Sequence, residues 1–272
     1  MGNGIAHTFA QHGFDVILYD IAAAQLDRSI ATIRLNLERQ VKKGTISEEL
    51  VAETLGRIKS TVHIEDLTNV DFAVEAVTEQ EQLKLEIFRQ LDTLLKPRAI
   101  LASNTSSIPI TRIAAATSRP DRVIGMHFMN PVPMMKLVEL IRGHATSDET
   151  FASTAGLVSI LDKEMAVSQD YPGFIVNRVL IPMINEAIFV LFEGVATAED
   201  IDKGLVLGTN QPMGPLALAD FIGLDTVLAI VNVLYDGFKD SKYRPCPLLV
   251  KMVNAGHLGR KSGRGFYIYE KG

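Results

Sequence analysis

Short apolar segments alternate with amphipathic helical patterns through the first 170 residues, and this alternation limits the possible folds more than any other feature. A strand–helix–strand rhythm is typical of a parallel sheet, because a parallel neighbour needs a crossover connection. We therefore predict a doubly wound α/β domain. The predicted strands lie at 14–20, 61–64, 70–77, 99–104, 123–128, 136–141 and 165–168, and the predicted helices at 2–12, 21–43, 47 onward, 78–96, 110–116 and 148–161.

The pattern changes near Tyr171-Pro172-Gly173, where strand signals give way to helical ones. At 272 residues the chain is long for a single core, so two domains are expected. We assign 1–170 to a dinucleotide-binding domain with a helical hairpin inserted at about 21–58, and 171–272 to an all-α domain. The second domain carries more apolar surface than it can easily bury, which predicts a homodimer that forms through it.

The N-terminal segment has part of a dinucleotide-binding pattern. A predicted helix ends at Gly13, and the strand that follows it ends at Asp20. In the complete βαβ unit, the last fingerprint glycine opens the helix and an acid lies roughly 20 residues later. Gly2 and Asp20 match those two positions, 20 − 2 = 18 residues apart.

The first strand and the first two glycines of that pattern are absent. We expect either that Met1 is an internal methionine of the fingerprint or that the chain was shortened. Because the first strand of a doubly wound sheet lies between the second and fourth, its loss would weaken both stability and NAD binding.

The segment 127–139 joins a titratable imidazole to a carboxylate. Two predicted strands flank Asn130-Pro-Val-Pro133, which has the chemistry of a rigid turn. The spacing 139 − 127 = 12 does not fit one helical face, but two strands that meet across a turn could bring His127 and Glu139 together. A histidine oriented by a carboxylate is a candidate general base. The alternative is a buried polar pair with no chemical role.

The composition excludes several classes of partner and site. A net charge of −5 gives no electrostatic attraction to nucleic acid or to an anionic membrane. The single cysteine, Cys246, excludes an internal disulfide and a cysteine-based zinc cluster, and no metal site is predicted. The longest apolar run, 187–192, is too short to span a bilayer, and no secretory signal is recognisable. We expect a cytoplasmic protein.

Five motifs, in this order and spacing, resemble the 3-hydroxyacyl-coenzyme A dehydrogenases, particularly their bacterial 3-hydroxybutyryl-coenzyme A type. The resemblance covers all 272 residues. The motifs are Ser103-Asn-Thr-Ser-Ser107, the 127–139 segment, Pro172-Gly-Phe-Ile-Val-Asn-Arg178, Gly208 with Pro212-Met-Gly-Pro215, and Gly223-Leu-Asp225. The resemblance implies interconversion of (S)-3-hydroxyacyl- and 3-oxoacyl-coenzyme A with NAD, in fatty acid or butanoate metabolism.

The resemblance also implies the catalytic residues. His127 is expected to take the proton of the substrate 3-hydroxyl, and Glu139 to orient the imidazole. Ser106 and Asn177 are expected to hydrogen-bond the substrate oxygen and to support the imidazole. The alternative for Ser106 is a turn hydroxyl, and for Asn177 a polar residue at a helix end.

Further positions of the family match the cofactor and coenzyme A contacts. Asp20 matches the acid that binds the adenosine ribose, and a carboxylate there favours NAD over NADP because it repels a 2′-phosphate. Arg39 and Lys43 match basic residues that face the coenzyme A phosphates, although two solvated cations on one helix face would look the same. The remaining cofactor positions are Gly2, together with Glu79 and Lys84, which match family positions near the nicotinamide end, and Asn104 on the same rim. Thr78-Glu-Gln-Glu81 is also predicted to open a helix as a capping box. The alternative for Glu79 and Lys84 is therefore electrostatic stabilisation of that helix end, since acids suit a first turn.

Two other functions remain open from the sequence. A catalytically weak relative that serves as a binding protein would suit the incomplete glycine fingerprint, whereas the intact set of His127, Glu139, Ser106 and Asn177 argues against it. A dehydrogenase of the same architecture could act on a small sugar acid. The basic pair Arg39 and Lys43 favours a coenzyme A thioester.

Overall fold

The computed structural model describes residues 1–270. The chain divides into two compact units, Met1–Tyr171 and Pro172–Gly272. Each unit has its own apolar core.

The helices and strands of the first unit follow the predicted order. Its helices are α1 (Gly2–Gln11), α2 (Ala23–Lys42), α3 (Glu48–Gly56), α4 (Glu81–Leu94), α5 (Ile110–Ala114) and α6 (Asp148–Ile160). Its strands are β1 (Val16–Tyr19), β2 (Ile58–Thr61), β3 (Phe72–Glu75), β4 (Ile100–Ser103), β5 (Val123–Phe128), β6 (Leu137–Arg142) and β7 (Glu164–Gln169).

The strands form two sheets. Strands β1 and β2 pair in parallel, and β3-β4-β5-β6-β7 form the second sheet, in which β5 and β6 are antiparallel and the other neighbours parallel. In a doubly wound sheet of order 3-2-1-4-5-6, the first strand lies between the second and the fourth. The break between β1 and β3 falls at that position. The predicted α/β class, a doubly wound sheet without its first strand, is confirmed.

The core of the first unit is centred on β4 and β5. Every residue of these two strands is buried, which is why they are apolar at nearly every position rather than alternating. Helix α1 contributes Ile5 to this core, and α6 contributes Val158. A second, smaller cluster joins α1 to the hairpin of α2 and α3 through Ala6, Ile33 and Leu37.

Some helices of this unit begin at a side-chain cap, and α4 is among those that do not. The hydroxyl of Ser47 accepts a hydrogen bond from the amide of Leu50 at the start of α3, as predicted. The predicted capping box at 78–81 is wrong. Helix α4 begins at Glu81 after Gln80, which makes no side-chain cap. The strand predicted at 61–64 is also displaced, because β2 ends at Thr61.

The second unit is helical. Its helices are α7 (Val176–Phe192), α8 (Ala198–Thr209), α9 (Pro215–Ile222), α10 (Leu224–Phe238) and α11 (Pro247–Asn254). Thr197 caps α8, as predicted, by accepting a hydrogen bond from the amide of Asp200. The core of this unit includes Ile184, Ile188, Leu216, Leu224 and Leu249.

Within the described residues, no single helix is long and apolar enough to cross a membrane. Helices α9 and α10 pass that test of length and composition only as a pair, and the pair is bent by 99°.

Two buried aspartates fasten the last segment of the second unit to its helices. Asp220 on α9 accepts hydrogen bonds from the amides of Phe266 and Tyr267 and from the hydroxyl of Tyr269, each at 3.0 Å. Asp202 on α8 accepts from the hydroxyl of Tyr267 at 2.8 Å. Burial and the hydrogen bond to Asp220 raise the pKa of Tyr269. A buried carboxylate with all its donors in place holds the segment without an unpaired charge.

Replacing Asp220 by asparagine should destabilise this unit. An amide keeps the shape but cannot accept hydrogen bonds on both terminal atoms, so at least one buried donor loses its partner. We expect a loss of about 2–4 kcal/mol in the free energy of unfolding, measured by urea denaturation. The amides of Phe266 and Tyr267 should also exchange faster. The matched control is Asp236→Asn, which breaks an exposed ion pair with Lys239 and should change stability by less than about 0.5 kcal/mol. Equal losses of stability in the two variants would refute the role of Asp220 in holding the last segment.

His7 is a fully buried titratable residue on α1. Its Nε2 lies 3.4 Å from the side-chain nitrogen of Gln40, and its Nδ1 has no hydrogen-bond partner among residues 1–270. The pKa of this imidazole is lowered from 6.5 to about 4, mainly by burial and to a smaller extent by the neighbouring His12, while an interaction with the side chain of Gln11 opposes the shift. The imidazole therefore packs between α1 and α2 in its neutral form.

Stability should fall as the pH falls below the ordinary pKa of His7. The folded-state pKa is depressed, so between pH 6.5 and about 4 the unfolded chain binds the proton more readily than the folded one. We expect His7 to account for a loss of about 2.5 kcal/mol between pH 7 and pH 4.5, measured by urea denaturation. His7→Leu is the control. Leucine fills a similar volume but does not titrate, so this variant should lose this part of the pH dependence. An unchanged slope in His7→Leu would contradict the assignment.

Candidate active site

His127 and Glu139 face each other across the antiparallel pair of β5 and β6. They are direct partners in the ladder, so their side chains project from the same face of the sheet. The imidazole Nδ1 lies 2.7 Å from Glu139 Oε2. The Glu139 side chain is 0% exposed and that of His127 is 11% exposed, so the imidazole is the member of the pair that reaches the surface. The contact predicted from the turn is present.

This contact assigns the tautomer of the imidazole. A carboxylate can only accept, so Nδ1 carries the proton and donates it to Glu139. Nε2 is then left with the lone pair that a general base needs. The geometry is that of a histidine held in one orientation by a buried acid.

The turn between the two strands is held in place on two sides. The Asn130–Pro131 peptide bond is cis. The ammonium of Lys163 donates hydrogen bonds to the carbonyl oxygens of Val132 and Met135, both at 2.8 Å. On the other side, a Cβ added to Gly4 would lie 2.9 Å from the Cβ of Val132, so α1 approaches the turn as closely as it does only because Gly4 has no side chain.

Ser106 lies in the turn of residues 105–107, directly after β4. One carboxylate oxygen of Glu79 organises this turn. Glu79 Oε1 accepts hydrogen bonds from the Thr105 hydroxyl at 2.5 Å, the Ser106 amide and hydroxyl at 2.9 and 3.4 Å, and the Ser107 amide and hydroxyl at 3.1 and 2.7 Å. The alternative prediction, that Glu79 serves the start of α4, is therefore wrong. It fixes the backbone that carries the Ser106 side chain.

The charge on Glu79 is stabilised by its surroundings. Burial by itself would raise the pKa of this carboxyl, but the hydrogen bond from Thr105, the positive charge of Lys84 and the bonds from Ser107 and Ser106 outweigh it and hold the pKa below its ordinary value. Glu79 is therefore ionised at neutral pH and acts as an acceptor only.

Lys84 is a buried cation, because its side chain is 1% exposed. Its ammonium lies 2.6 Å from Glu75 Oε1 and 3.3 Å from Glu79 Oε2. The structure thus places Lys84 in contact with two carboxylates. Its role at the nicotinamide end of the cofactor stays a prediction.

Asn104 connects β4 to the strand that carries His127. Its side-chain oxygen accepts a hydrogen bond from the backbone amide of Phe128 at 2.8 Å. Phe128 is the residue after His127, so this bond holds the end of β5 where the imidazole projects. The predicted cofactor contact of Asn104 stays a prediction.

Gly2 and Asp20 lie at the same end of the first unit. Helix α1 begins at Gly2 and turns at Gly13 into β1, so the two elements run antiparallel and the start of α1 lies near the end of β1. A Cβ added to Gly2 would lie 3.9 Å from Ala76, the residue after β3. Asp20 follows β1, and its Oδ1 accepts the amide of Ala22 at 2.9 Å. The start of α1 and the carboxyl ends of β1 and β3 therefore converge.

The remaining predicted residues belong to α2 and to the second unit. Arg39 and Lys43 are exposed on the last turn of α2 and at its C-cap. Asn177 belongs to the second unit, where it is the second residue of α7 and half-buried. Across residues 1–270, no group of three or more His, Cys, Asp or Glu side chains is placed to hold a metal ion.

Sequence reasoning missed Glu75 and Ser103, which are buried polar residues on β3 and β4. Their side chains are hydrogen-bonded to each other at 2.7 Å. One signal could have identified Glu75, because an acid inside an otherwise apolar strand must have a partner when it is buried. Ser103 lies in a motif that the sequence analysis did single out, but on its strand side rather than in the turn.

The fold and the converging strand ends define a dinucleotide-dependent enzyme of the doubly wound class. The family model for the NAD-binding domain of 3-hydroxyacyl-CoA dehydrogenase matches residues 1–171, and the model for the C-terminal domain of the same family matches residues 173–269. The chain belongs to the 3-hydroxyacyl-CoA dehydrogenase family, and it is an NAD-dependent enzyme. The resemblance read from the motifs is confirmed.

Individual members of this family are similar to the chain over nearly its whole length. The chain is 58% identical to a 3-hydroxybutyryl-CoA dehydrogenase of Bradyrhizobium diazoefficiens over 99% of this chain and 92% of the relative. It is 40% identical to the human mitochondrial hydroxyacyl-coenzyme A dehydrogenase over 99% of this chain and 88% of the relative. The crystal structure of (S)-3-hydroxybutyryl-CoA dehydrogenase from Ralstonia eutropha superposes with a TM-score of 0.98 at 52% identity and covers 100% of this chain and 96% of that one.

Proposed function

We propose that this chain interconverts (S)-3-hydroxybutyryl-coenzyme A and acetoacetyl-coenzyme A with NAD, using the His127–Glu139 pair as general base and acid. The proposal depends on one observation: the buried Glu139 carboxylate contacts the His127 imidazole, with Oε2 lying 2.7 Å from Nδ1. Relatives at 58% and 52% identity are named for this substrate. We also propose a role in fatty acid or butanoate metabolism, in the cytoplasm, on the basis of the family resemblance.

In the oxidative direction, His127 Nε2 takes the proton of the substrate 3-hydroxyl. Bound NAD would supply the hydride acceptor for the carbon that carries this hydroxyl. The imidazole becomes a cation as it takes the proton, and the ionised Glu139 beside it stabilises that charge. In the reductive direction, the same nitrogen returns the proton to the oxygen of the 3-oxo group. The protein therefore needs one base of fixed orientation and no metal to move the proton.

Ser106 and Asn177 are proposed to hydrogen-bond the substrate oxygen. The Ser106 backbone is fixed because its amide donates to Glu79 at 2.9 Å. A hydroxyl on a fixed backbone can be aimed at the oxygen on which negative charge develops during oxidation, which is where a preorganised donor has most effect. Asn177 offers an amide donor at the first turn of α7.

The residues of the first unit fit NAD. The start of α1 presents backbone N–H groups and the positive end of a helix dipole, which suit a pyrophosphate. Asp20 places a half-exposed carboxylate at the end of β1, where it would accept hydrogen bonds from the two ribose hydroxyls and repel a 2′-phosphate. Glu79, Lys84 and Asn104 are proposed to lie at the nicotinamide end.

Arg39 and Lys43 are proposed to bind the phosphates of coenzyme A. They lie four residues apart at the C-terminal end of α2, so their side chains share a face of the helix. Both are exposed and free to meet an anionic ligand. Because the phosphates of coenzyme A are negatively charged, this basic pair favours a coenzyme A thioester over a small sugar acid as the substrate.

The test is NADH oxidation with acetoacetyl-coenzyme A, followed by absorbance. We expect saturable turnover with acetoacetyl-coenzyme A, slower turnover with longer 3-oxoacyl thioesters, and a clear preference for NADH over NADPH measured in parallel. A small 3-oxo sugar acid should not be reduced. Absence of NADH consumption with every thioester would refute the proposal, and consumption with the sugar acid alone would favour the alternative substrate.

We further propose that the chain is a homodimer through its second unit. Large apolar side chains are exposed on or beside α7, α8 and α9, at Val179, Phe192, Val195, Leu207 and Phe221. An exposed apolar surface of this kind is costly in water and is commonly buried against a second copy. Light scattering should give a mass of twice 29.8 kDa, and a Val179→Glu/Phe221→Glu variant should give a monomer. A monomeric unmodified chain would contradict the proposal.

A further inference from the structure

We propose that Glu75 is a positioning residue that holds the 105–107 turn, and through it the Ser106 hydroxyl, from inside the sheet. The inference rests on the proposed function only for the role of Ser106. The positioning itself depends on contacts within the first unit.

Glu75 ends β3 with its side chain 1% exposed, and both of its carboxylate oxygens are used. Oε1 accepts hydrogen bonds from the Lys84 ammonium at 2.6 Å and from the Val77 amide at 2.7 Å. Oε2 accepts from the Ser103 hydroxyl at 2.7 Å. A buried carboxylate with three donors is rigid, because moving it would leave several buried groups unpaired.

The first connection from Glu75 to the turn passes through Lys84 and Glu79. Lys84 lies 3.3 Å from Glu79 Oε2, and Glu79 Oε1 accepts the amides of Ser106 and Ser107. Glu79 Oε2 thus binds the buried Lys84 ammonium, and Glu79 Oε1 binds the turn. A change in the attraction between Lys84 and Glu79 will therefore move the Glu79 carboxylate and alter its hydrogen bonds to the turn.

The second connection passes through Ser103. Glu75 and Ser103 are partners in the parallel pair of β3 and β4, and the Ser103 hydroxyl that donates to Glu75 also accepts the amide of Thr105 at 3.2 Å. Thr105 is the first residue of the turn. Glu75 therefore holds the turn at its beginning through Ser103 and at Ser106 and Ser107 through Glu79.

The charges explain why this arrangement needs an acid at position 75. Lys84 is buried between Glu75 and Glu79, so one positive charge is shared by two negative ones. Removing the charge of Glu75 would leave Lys84 with Glu79 as its only ionised partner in this cluster. Glu79 would then be drawn towards the ammonium and away from the amides of the turn, because an unshared buried charge attracts its remaining partner more strongly.

The experiment compares Glu75→Gln with the unmodified chain. We expect kcat with acetoacetyl-coenzyme A to fall about 10-fold with the KM for the thioester within about twofold, because the turn is misplaced rather than removed. In a double variant assayed at saturating NADH, Glu75→Gln should cost little further once Ser106 is alanine, because the Ser106 hydroxyl is the group of the turn that is proposed to contact the substrate. Hydrogen exchange at the Ser106 and Ser107 amides should be about 10-fold faster in Glu75→Gln.

The control is Asp92→Asn, which breaks the largely buried ion pair with Arg119 at the other end of α4 and does not contact the turn. It should leave kcat and the exchange of the turn unchanged. If Glu75→Gln does not fold, Ser103→Ala removes the second connection alone and should lower kcat about threefold with faster exchange at Thr105.

Unchanged exchange in the turn, or effects of Glu75→Gln and Ser106→Ala that add, would overturn the positioning role. An unmodified chain without turnover would refute the proposed function instead, and the exchange measurement would still decide the role of Glu75.

Discussion

Replacing His127 by glutamine should lower kcat for acetoacetyl-coenzyme A reduction at least about 100-fold, the usual scale for loss of a general base or acid. Glutamine has comparable size and polarity, but at neutral pH it neither takes up nor releases a proton. The thioester should still bind, because the coenzyme A contacts proposed for Arg39 and Lys43 are untouched. The measurements are steady-state NADH consumption and calorimetric binding of acetoacetyl-coenzyme A to the variant.

His144→Gln is the matched control for this variant. His144 is exposed and lies in the segment between β6 and α6, so the same chemical change there should leave kcat within about twofold. A His127→Gln variant with near-normal turnover would remove the imidazole from the mechanism. Loss of thioester binding in that variant would instead point to a disturbed fold.

Replacing Glu139 by glutamine should lower kcat by about 100-fold or more, although Glu139 does not touch the substrate in the proposed mechanism. The amide keeps the size of the side chain but removes the negative charge that stabilises the protonated imidazole. If the amide nitrogen faces Nδ1, it also forces the imidazole proton onto Nε2, which then cannot accept the proton of the substrate. The measurement is again steady-state NADH consumption.

Two comparisons test whether Glu139 acts through His127. Glu164→Gln removes a charge from the neighbouring strand β7 at an exposed position and should leave kcat nearly unchanged. The double variant of His127 and Glu139 should be no slower than His127→Gln alone, because residues that act as a unit do not have additive effects. A double variant that is slower by the product of the two effects would show that Glu139 has a separate role.

The local pattern was sufficient for the architecture of both units. Apolar periodicity and turn residues predicted the strand–helix order of the first unit and the helical second unit, because these patterns depend on residues close together in the chain. Ser47 and Thr197 were predicted as caps for the same reason, since a cap bonds to an amide three residues later. At 61–64 the prediction failed because β2 ends at Thr61, whose hydroxyl donates to Asp66 and accepts the amide of His63. At 78–81 a tertiary contact of Glu79 decided the outcome.

The case of Glu79 shows what a local pattern cannot distinguish. Thr78-Glu-Gln-Glu81 has the spacing of a capping box, but Glu79 binds the turn of residues 105–107, which follows the neighbouring strand β4. Its partners are 26 to 28 residues away in the chain, so no spacing rule within a helix could reveal them. Glu75 and Lys84 were unrecognised as a pair because their contact depends on α4 covering the end of β3.

The sequence by itself determined the α/β class, the motifs of the family, and the pairing of His127 with Glu139, because a short rigid turn between two strands leaves few registers. Only the tertiary structure decided that the carboxylate lies on Nδ1, that Lys84 is buried between two acids, and that one oxygen of Glu79 holds the turn of Ser106. These contacts join residues from different strands and helices, and their existence depends on how the elements pack rather than on any pattern along the chain.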